Sequence, residues 1–182
     1  MGKTLYDMMD WAGIEELVYS EAANPHGMLG PHMTEEGMLV QAFVPTAQAI
    51  TVKLISDGRE YPMEKMEEPG FFAVLIPEKT MADYTLAVSY DNGTTQKMHD
   101  PYAYEPQFDE AQLKKFEAGI CYDVYEKMGA HVMEIKGVKG VYFAVWAPCA
   151  MRVSVVGDFN MWDGRRHQMR RLGDYGVFEL FI

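Results

Sequence analysis

Cysteine is almost missing from this 182-residue chain: Cys121 and Cys149 are the only two, and no close spacing marks them as metal ligands. The amino terminus, with two acids and one lysine between Met1 and Trp11, lacks the basic-then-apolar pattern of a secretion signal. Both cysteines therefore read as free thiols in a reducing compartment, and a cytoplasmic location is expected. Long apolar runs are missing too. Nothing approaches the roughly 20 residues of a membrane-spanning helix. Positive charge is in short supply, with 16 Lys and Arg against 27 Asp and Glu and a net charge of -11. Such a surface repels phosphate backbones and anionic lipid, which argues against nucleic acid and membrane partners, yet it tolerates a neutral ligand. His26, His32, His99, His131 and His167 show neither HxxxH nor HExxH spacing, so no metal site is expected. No Ser/His/Asp, Cys/His or phosphate-loop constellation is present, nor an evident pair of carboxylates at the separation glycoside cleavage needs, so no catalytic residue is assigned.

What is present is apolar and aromatic content, 48% and 13%, enough for a packed core in one or two domains. Leu5, Met8, Met9, Ile14, Leu17 and Val18 recur at helical spacing interrupted by Gly13, which predicts one or two short helices before the Asn24-Pro25-His26-Gly27 break. From Gly37 the period changes to two. Leu39–Val44, Ile50–Ile55, Phe71–Ile76 and Tyr84–Tyr90 read as short strands between turn signals, with Asp91-Asn92-Gly93 the clearest hairpin. Asn92-Gly93-Thr94 also fits a glycosylation sequon but reads as that turn. After Asp100-Pro101-Tyr102, Asp109 caps a predicted short helix to Glu117, and Val141–Ala147, Arg152–Val156 and Val177–Ile182 form a second strand series.

The second series repeats the first. Gly37–Ala47 parallels Gly140–Ala150, Ile50–Val52 parallels Val153–Val155, Pro62-Met63 falls against Gln168-Met169, and Gly70–Ile76 against Gly176–Ile182, at offsets of 103 and then 106 residues. The expected fold is mainly β, with two tandem immunoglobulin-like antiparallel sandwiches. The plan is a helical lead-in over 1–22, a first sandwich over 23–105, a partly helical linker over 106–136, and a shorter, truncated second sandwich over 137–182. Because it stops inside Val177–Ile182, that second copy is expected to present an open apolar edge there, as in a piece of a longer protein.

The richest segment is Val153–Gly164, where a strand leaves the sheet at Gly157 and a loop offers Asn160, Trp162 and Asp163. An indole face beside an amide and a carboxylate suits a sugar ring, through its C–H face and its hydroxyls. Trp162 could equally cap the sandwich or pack on a neighbouring domain. Trp146, opposite Phe43 in the repeat, reads as a core residue. Arg165, Arg166 and His167, followed by Arg170 and Arg171, form a basic cluster that could hold a phosphate but fits pairing with acids across a domain interface better.

These segments carry a family likeness. Tyr125–His131, Gly137–Pro148, Arg152–His167 and Gly176–Ile182 closely resemble bacterial glycogen branching enzymes, and Asn24–Gly30 and Asp100–Tyr102 match more loosely. The resemblance implies two amino-terminal sandwiches ahead of an α-amylase-superfamily barrel, the second similar to a carbohydrate-binding module. It implies a parent enzyme that cleaves α-1,4 linkages and transfers the chain to form α-1,6 branches, with no organic cofactor. The catalytic acids would lie in the barrel, and no position here matches them. In related kinase-type modules a further tryptophan and lysine complete the sugar site; this sequence stops before that region, so the site is expected to be incomplete here. The expected role is non-catalytic: glucan binding and chain-length selection, with glycogen or amylose and the enzyme's own catalytic barrel as partners. The competing roles are a structural spacer that binds no sugar and a stand-alone glycogen-targeting module.

Overall fold

A computed structural model describes residues 4–19, 22 and 24–182. They form two compact units: the described residues up to 22 with 26–100, and residues 24–25 with 101–182. In the first, α1 (Trp11–Val18) starts where the Asp10 carboxylate accepts from the Gly13 amide, and it buries Ile14 and Leu17. Gly13 lies inside this helix and does not interrupt it. The expected helical residues Ser20 and Glu21 lie outside the described residues.

Two four-stranded antiparallel sheets follow. One has the order β1 (Gly30–Met33), β2 (Met38–Phe43), β6 (Phe71–Ile76), β5 (Glu64–Lys65). The other runs β4 (Glu60–Pro62), β3 (Ala47–Leu54), β7 (Tyr84–Tyr90), β8 (Thr95–Met98). Alternation in β3 places Ile50, Val52 and Leu54 inside. Every residue of β2 is buried, so its sheet is covered on both faces. The β7–β8 hairpin turns at Asn92-Gly93, where Gly93 has φ +78° and the Asn92 side chain accepts from the Thr94 amide. This unit is the expected antiparallel sandwich.

The second unit reproduces the first sheet of the first unit, strand for strand. Its order is β9 (Gly129–Ile135), β10 (Val138–Trp146), β12 (Val177–Phe181), β11 (Arg170–Leu172). The register repeats: Phe43 faces Phe71 as Trp146 faces Val177, and Glu64 faces Ala73 as Arg170 faces Glu179. Loop hydrogen bonds repeat as well. The Val44 amide donates to the Gly70 carbonyl as that of Ala147 does to Gly176, both at 2.8 Å, and the Met63 amide donates to Ile50 as that of Met169 does to Val153. The repeat reaches further upstream than the sequence pattern indicated. His32 opposes Leu39 and His131 opposes Tyr142, and each imidazole bonds the carbonyl three residues before it.

Three expectations are corrected here. Arg152–Val156 is not a strand: the counterpart of the β3–β4 pairing is a single bridge, Ser154 to Gln168. Among the described residues β7 and β8 have no counterpart. Residues 106–136 are not merely a linker, since they carry α2 (Glu110–Glu117) and β9, and Phe108 and Leu113 enter the core. Finally, Val177–Phe181 is no open edge, because β12 lies between β10 and β11; the edges are β9 and β11. The expectation failed because β9 and β11 alternate weakly and were not read as strands.

The sheet of the second unit separates two apolar layers. Val155, Val153 and Tyr102 pack with Met169, Phe178 and Leu180 on one face, while Tyr104, Phe108 and Leu113 pack with Tyr142, Val177 and Phe181 on the other. Into this second layer the chain places Glu179, 0% exposed. Its carboxylate accepts from the Tyr142 hydroxyl (2.6 Å), Arg170 Nε (2.8 Å) and the Gln107 amide (3.1 Å). Burial and the Glu179 charge together push the Tyr142 phenol far up, so it stays a donor.

Two stability predictions follow from this packing. An alanine Cβ at Gly70 or Gly176, both at positive φ, would sit 2.5 or 2.6 Å from the Cα of Pro45 or Pro148. At Gly93 it would meet open space. Urea unfolding is expected to show Gly93→Ala costing about 1 kcal/mol and Gly70→Ala or Gly176→Ala about 3 kcal/mol or more. Equal losses at the three sites would refute the close approach. Glu179→Ala is expected to cost about 3–5 kcal/mol, because it strands the Arg170 charge, and Glu179→Leu with Arg170→Met should recover part of that. A loss below 1 kcal/mol for Glu179→Ala would show that the cluster does not hold the layer.

Candidate functional site

The segment 152–168 combines one bridge with a compact loop. A 3₁₀ turn, Asp158–Asn160, follows Gly157, and the loop closes on itself through backbone bonds from Trp162 to Gly157 and from Arg166 to Asp163. Asn160 organises it from inside. Fully buried, its Oδ1 accepts from the Gly157 amide (2.9 Å), while its Nδ2 donates to the Val155 carbonyl (2.8 Å) and to His167 Nδ1 (3.0 Å). An amide so engaged has no atom left for a ligand. Asn160, expected at the sugar, is buried and bonded within the loop.

Trp162 is the opposite case. It is 67% exposed, and its indole N–H donates to Asp158 Oδ1 at 2.9 Å. Met161 and Trp162 both take left-handed φ, +56° and +58°, an arrangement that costs a non-glycine side chain roughly 1–3 kcal/mol. The turn spends that strain to carry the indole out of the loop. Phe159 and Met161 are exposed beside it in sequence. Asp158 was not singled out from the sequence; the four-residue spacing to Trp162 is the signal that marks it.

Asp163 is held by Arg165, whose Nε and terminal nitrogen reach its two oxygens at 3.0 and 2.8 Å. That pairing, chiefly the side-chain hydrogen bond, keeps the Asp163 carboxyl below its ordinary range. Of the residues expected at an interdomain contact, Arg165 and His167 are thus engaged within the loop. Burial first, and the Arg166 charge second, lower the His167 imidazole to about 4. A neutral ring with a bare Nδ1 is what the Asn160 donor requires. The edge of Phe159 lies 5.3 Å from it, centroid to centroid. The Ser154 hydroxyl and Arg152 both donate to the Gly164 carbonyl, at 2.7 and 3.1 Å, fixing the far side of the loop.

Trp146 was expected in the core and is not there. It is 58% exposed, although Phe43 at the matching position of the first unit is 7% exposed. Among the described residues no group of three or more His, Cys, Asp or Glu could hold a metal ion, and no helix is long and apolar enough to cross a membrane.

Known proteins share both halves of this arrangement. Residues 10–102 match the family described as alpha-1,4-glucan branching enzyme GlgB, N-terminal domain, and residues 127–182 match Carbohydrate-binding module 48 (Isoamylase N-terminal domain). The chain is similar to a 1,4-alpha-glucan branching enzyme GlgB of Thermosynechococcus vestitus, 41% identical over 174 residues, and to one of a Nostoc species, 42% identical over 175. Each alignment covers 93% of this chain and 22% of the relative, so the chain spans about a fifth of the length of the curated relatives it matches. Among solved structures, a pullulanase complexed with maltotetraose from an Anoxybacillus species aligns over 49% of this chain and 13% of its own, at 23% identity. The TM-score of that alignment is 0.38. With the first-unit match covering half of the chain and the carbohydrate-binding match covering the second unit, the chain belongs to the amino-terminal region of the GlgB 1,4-alpha-glucan branching enzyme family.

Proposed function

We propose that the second unit binds α-glucan through the loop 157–167, with the Trp162 indole as the stacking face. The observation that carries this is a two-thirds-exposed tryptophan in a left-handed turn, built on the buried Asn160 amide and tied at the surface to Asp158. Leaving an indole in water forfeits roughly 25 cal/mol per Å² of apolar area, which the C–H face of a pyranose would recover. Asp163, fixed by Arg165, is the polar neighbour in the same turn.

The parent activity belongs to this reading: α-1,4 cleavage and transfer to make α-1,6 branches in glycogen, on a catalytic barrel outside these residues. A glucan anchored here would reach that barrel only with a certain span, which is how binding contributes to chain-length selection. Arg166 is the member of the basic cluster left to face the barrel. A cytoplasmic setting and an absence of catalysis by these residues alone complete the assignment. Among the buried acids, Asp100 accepts the Tyr84 hydroxyl and Glu179 sits in its ion pair, both in structural roles.

Affinity electrophoresis of the 182-residue chain through amylose- or glycogen-containing gels tests the assignment. One stacked aromatic with few polar partners corresponds to a Kd of about 0.1–10 mM, and Trp162→Ala is expected to weaken it roughly tenfold. Retention unchanged in that variant would overturn the role of Trp162, and no retention by the parent chain would favour the spacer. Acidification supplies a second measurement. The folded His167 titrates near 4 and the unfolded one near 6.5, so between those values only the unfolded chain takes up the proton. This contribution to stability is therefore complete above about pH 6.5, falls as the pH drops, and levels off below 4. Unfolding free energies of the parent and His167→Gln, compared from pH 7 to pH 4, are expected to converge by about 1.4 kcal/mol per pH unit at the steepest. Parallel curves would show that His167 is not held neutral.

A further inference from the structure

We infer that Trp146 is a second α-glucan platform on the same unit, separate from the loop of Trp162. The inference rests on the glucan-binding reading above and extends it to a residue with a different scaffold.

Tyr142, Ala144 and Trp146 alternate along one face of β10, opposite Phe181, Glu179 and Val177 of β12. Tyr142 and Ala144 are buried in the layer built with Tyr104, Phe108 and Leu113, and the cover ends there. Trp146 emerges from it at 58% exposure. It is not loose. The backbone is locked in the β10–β12 ladder, the next amide is bonded to Gly176, and the Phe116 ring of α2 stands 6.0 Å away at 78°. An edge-to-face neighbour at that distance orients an indole without covering it. An oriented, uncovered indole suits the C–H face of a neutral pyranose, as at Trp162, and the net charge of -11 disfavours an anionic ligand.

The two platforms stand on different supports. Trp162 grows from the segment 153–155 that covers the Phe178 face, whereas Trp146 sits on the Tyr142 face. A polymer with many equivalent rings can engage both, and a short oligosaccharide only one, so retention by glycogen should depend on both residues more steeply than binding of maltotriose does.

The chain has three tryptophans, which makes Trp146 directly readable. In the Trp11→Phe, Trp162→Ala chain, Trp146 is the sole indole. Titration with maltoheptaose is expected to shift its emission saturably. In glycogen gels, Trp146→Ala and Trp162→Ala should each weaken retention roughly three- to tenfold and the double variant should abolish it. Trp146→Phe, which keeps a ring beside Phe116, should fall between the parent and Trp146→Ala while unfolding at the parent's urea midpoint. If Trp162→Ala alone abolishes retention and the Trp146 emission ignores the sugar, the second platform is wrong while the first stands. If neither variant changes retention, both readings fail together. An emission response in Trp146 with unchanged retention of Trp146→Ala would also overturn the proposal.

Discussion

Each unit depends on one close approach of backbone to backbone. Where β2 ends, the chain passes Gly70 so near that a single added carbon would overlap Pro45, and Pro148 and Gly176 repeat the arrangement. The contact brings the ends of two antiparallel neighbours together and is sealed by a 2.8 Å hydrogen bond in both copies. Everything downstream takes its register from there: the long ladder β2–β6 or β10–β12, then the short edge strand paired to its far side. Insertions elsewhere shift loop lengths, as the change of offset from 103 to 106 residues shows, but this crossing is preserved.

From a shared sheet the two copies diverge in what they do with its faces. The first unit lays a second four-stranded sheet over its partner and ends as a closed sandwich. In the second, residues 152–168 form a loop tied by one bridge, and its irregular course presents Trp162. At the position of buried Ala73 it carries Glu179, and polar groups from three segments converge on that carboxylate. Trp146 replaces a buried phenylalanine by a ring that reaches water.

Much of this was legible in the sequence, for identifiable reasons. Phe71–Ile76 and Tyr84–Tyr90 were read with the observed bounds because apolar runs between glycine, proline and Asn-Gly turns leave little freedom in register. The Asp109 cap is legible from an aspartate at a helix start, and the structure adds the reciprocal bond from Gln112. Arg152–Val156 misled, since alternation describes side-chain direction and says nothing about whether a neighbouring strand exists. β9 was passed over because half of its residues face water on an edge. In the loop, residue types do not reveal which side chains are buried and which are exposed. Asn160 and Trp162 are equally polar-or-aromatic on paper, and only the three bonds of the amide separate scaffold from surface.

The convergence on Glu179 also sets where this module can be cut. Its carboxylate takes a proton donor from residue 107, upstream of the matched carbohydrate-binding segment that begins at residue 127. Phe108 and Leu113 close the layer over it, and Lys127 reaches back to the Gln107 carbonyl. A graft or fusion that starts at 127 would keep every strand of the sheet and still open a charged group to an apolar layer stripped of its roof. A graft must therefore begin upstream of residue 107, so that the helix and turn that keep the interior charge company travel with the sheet.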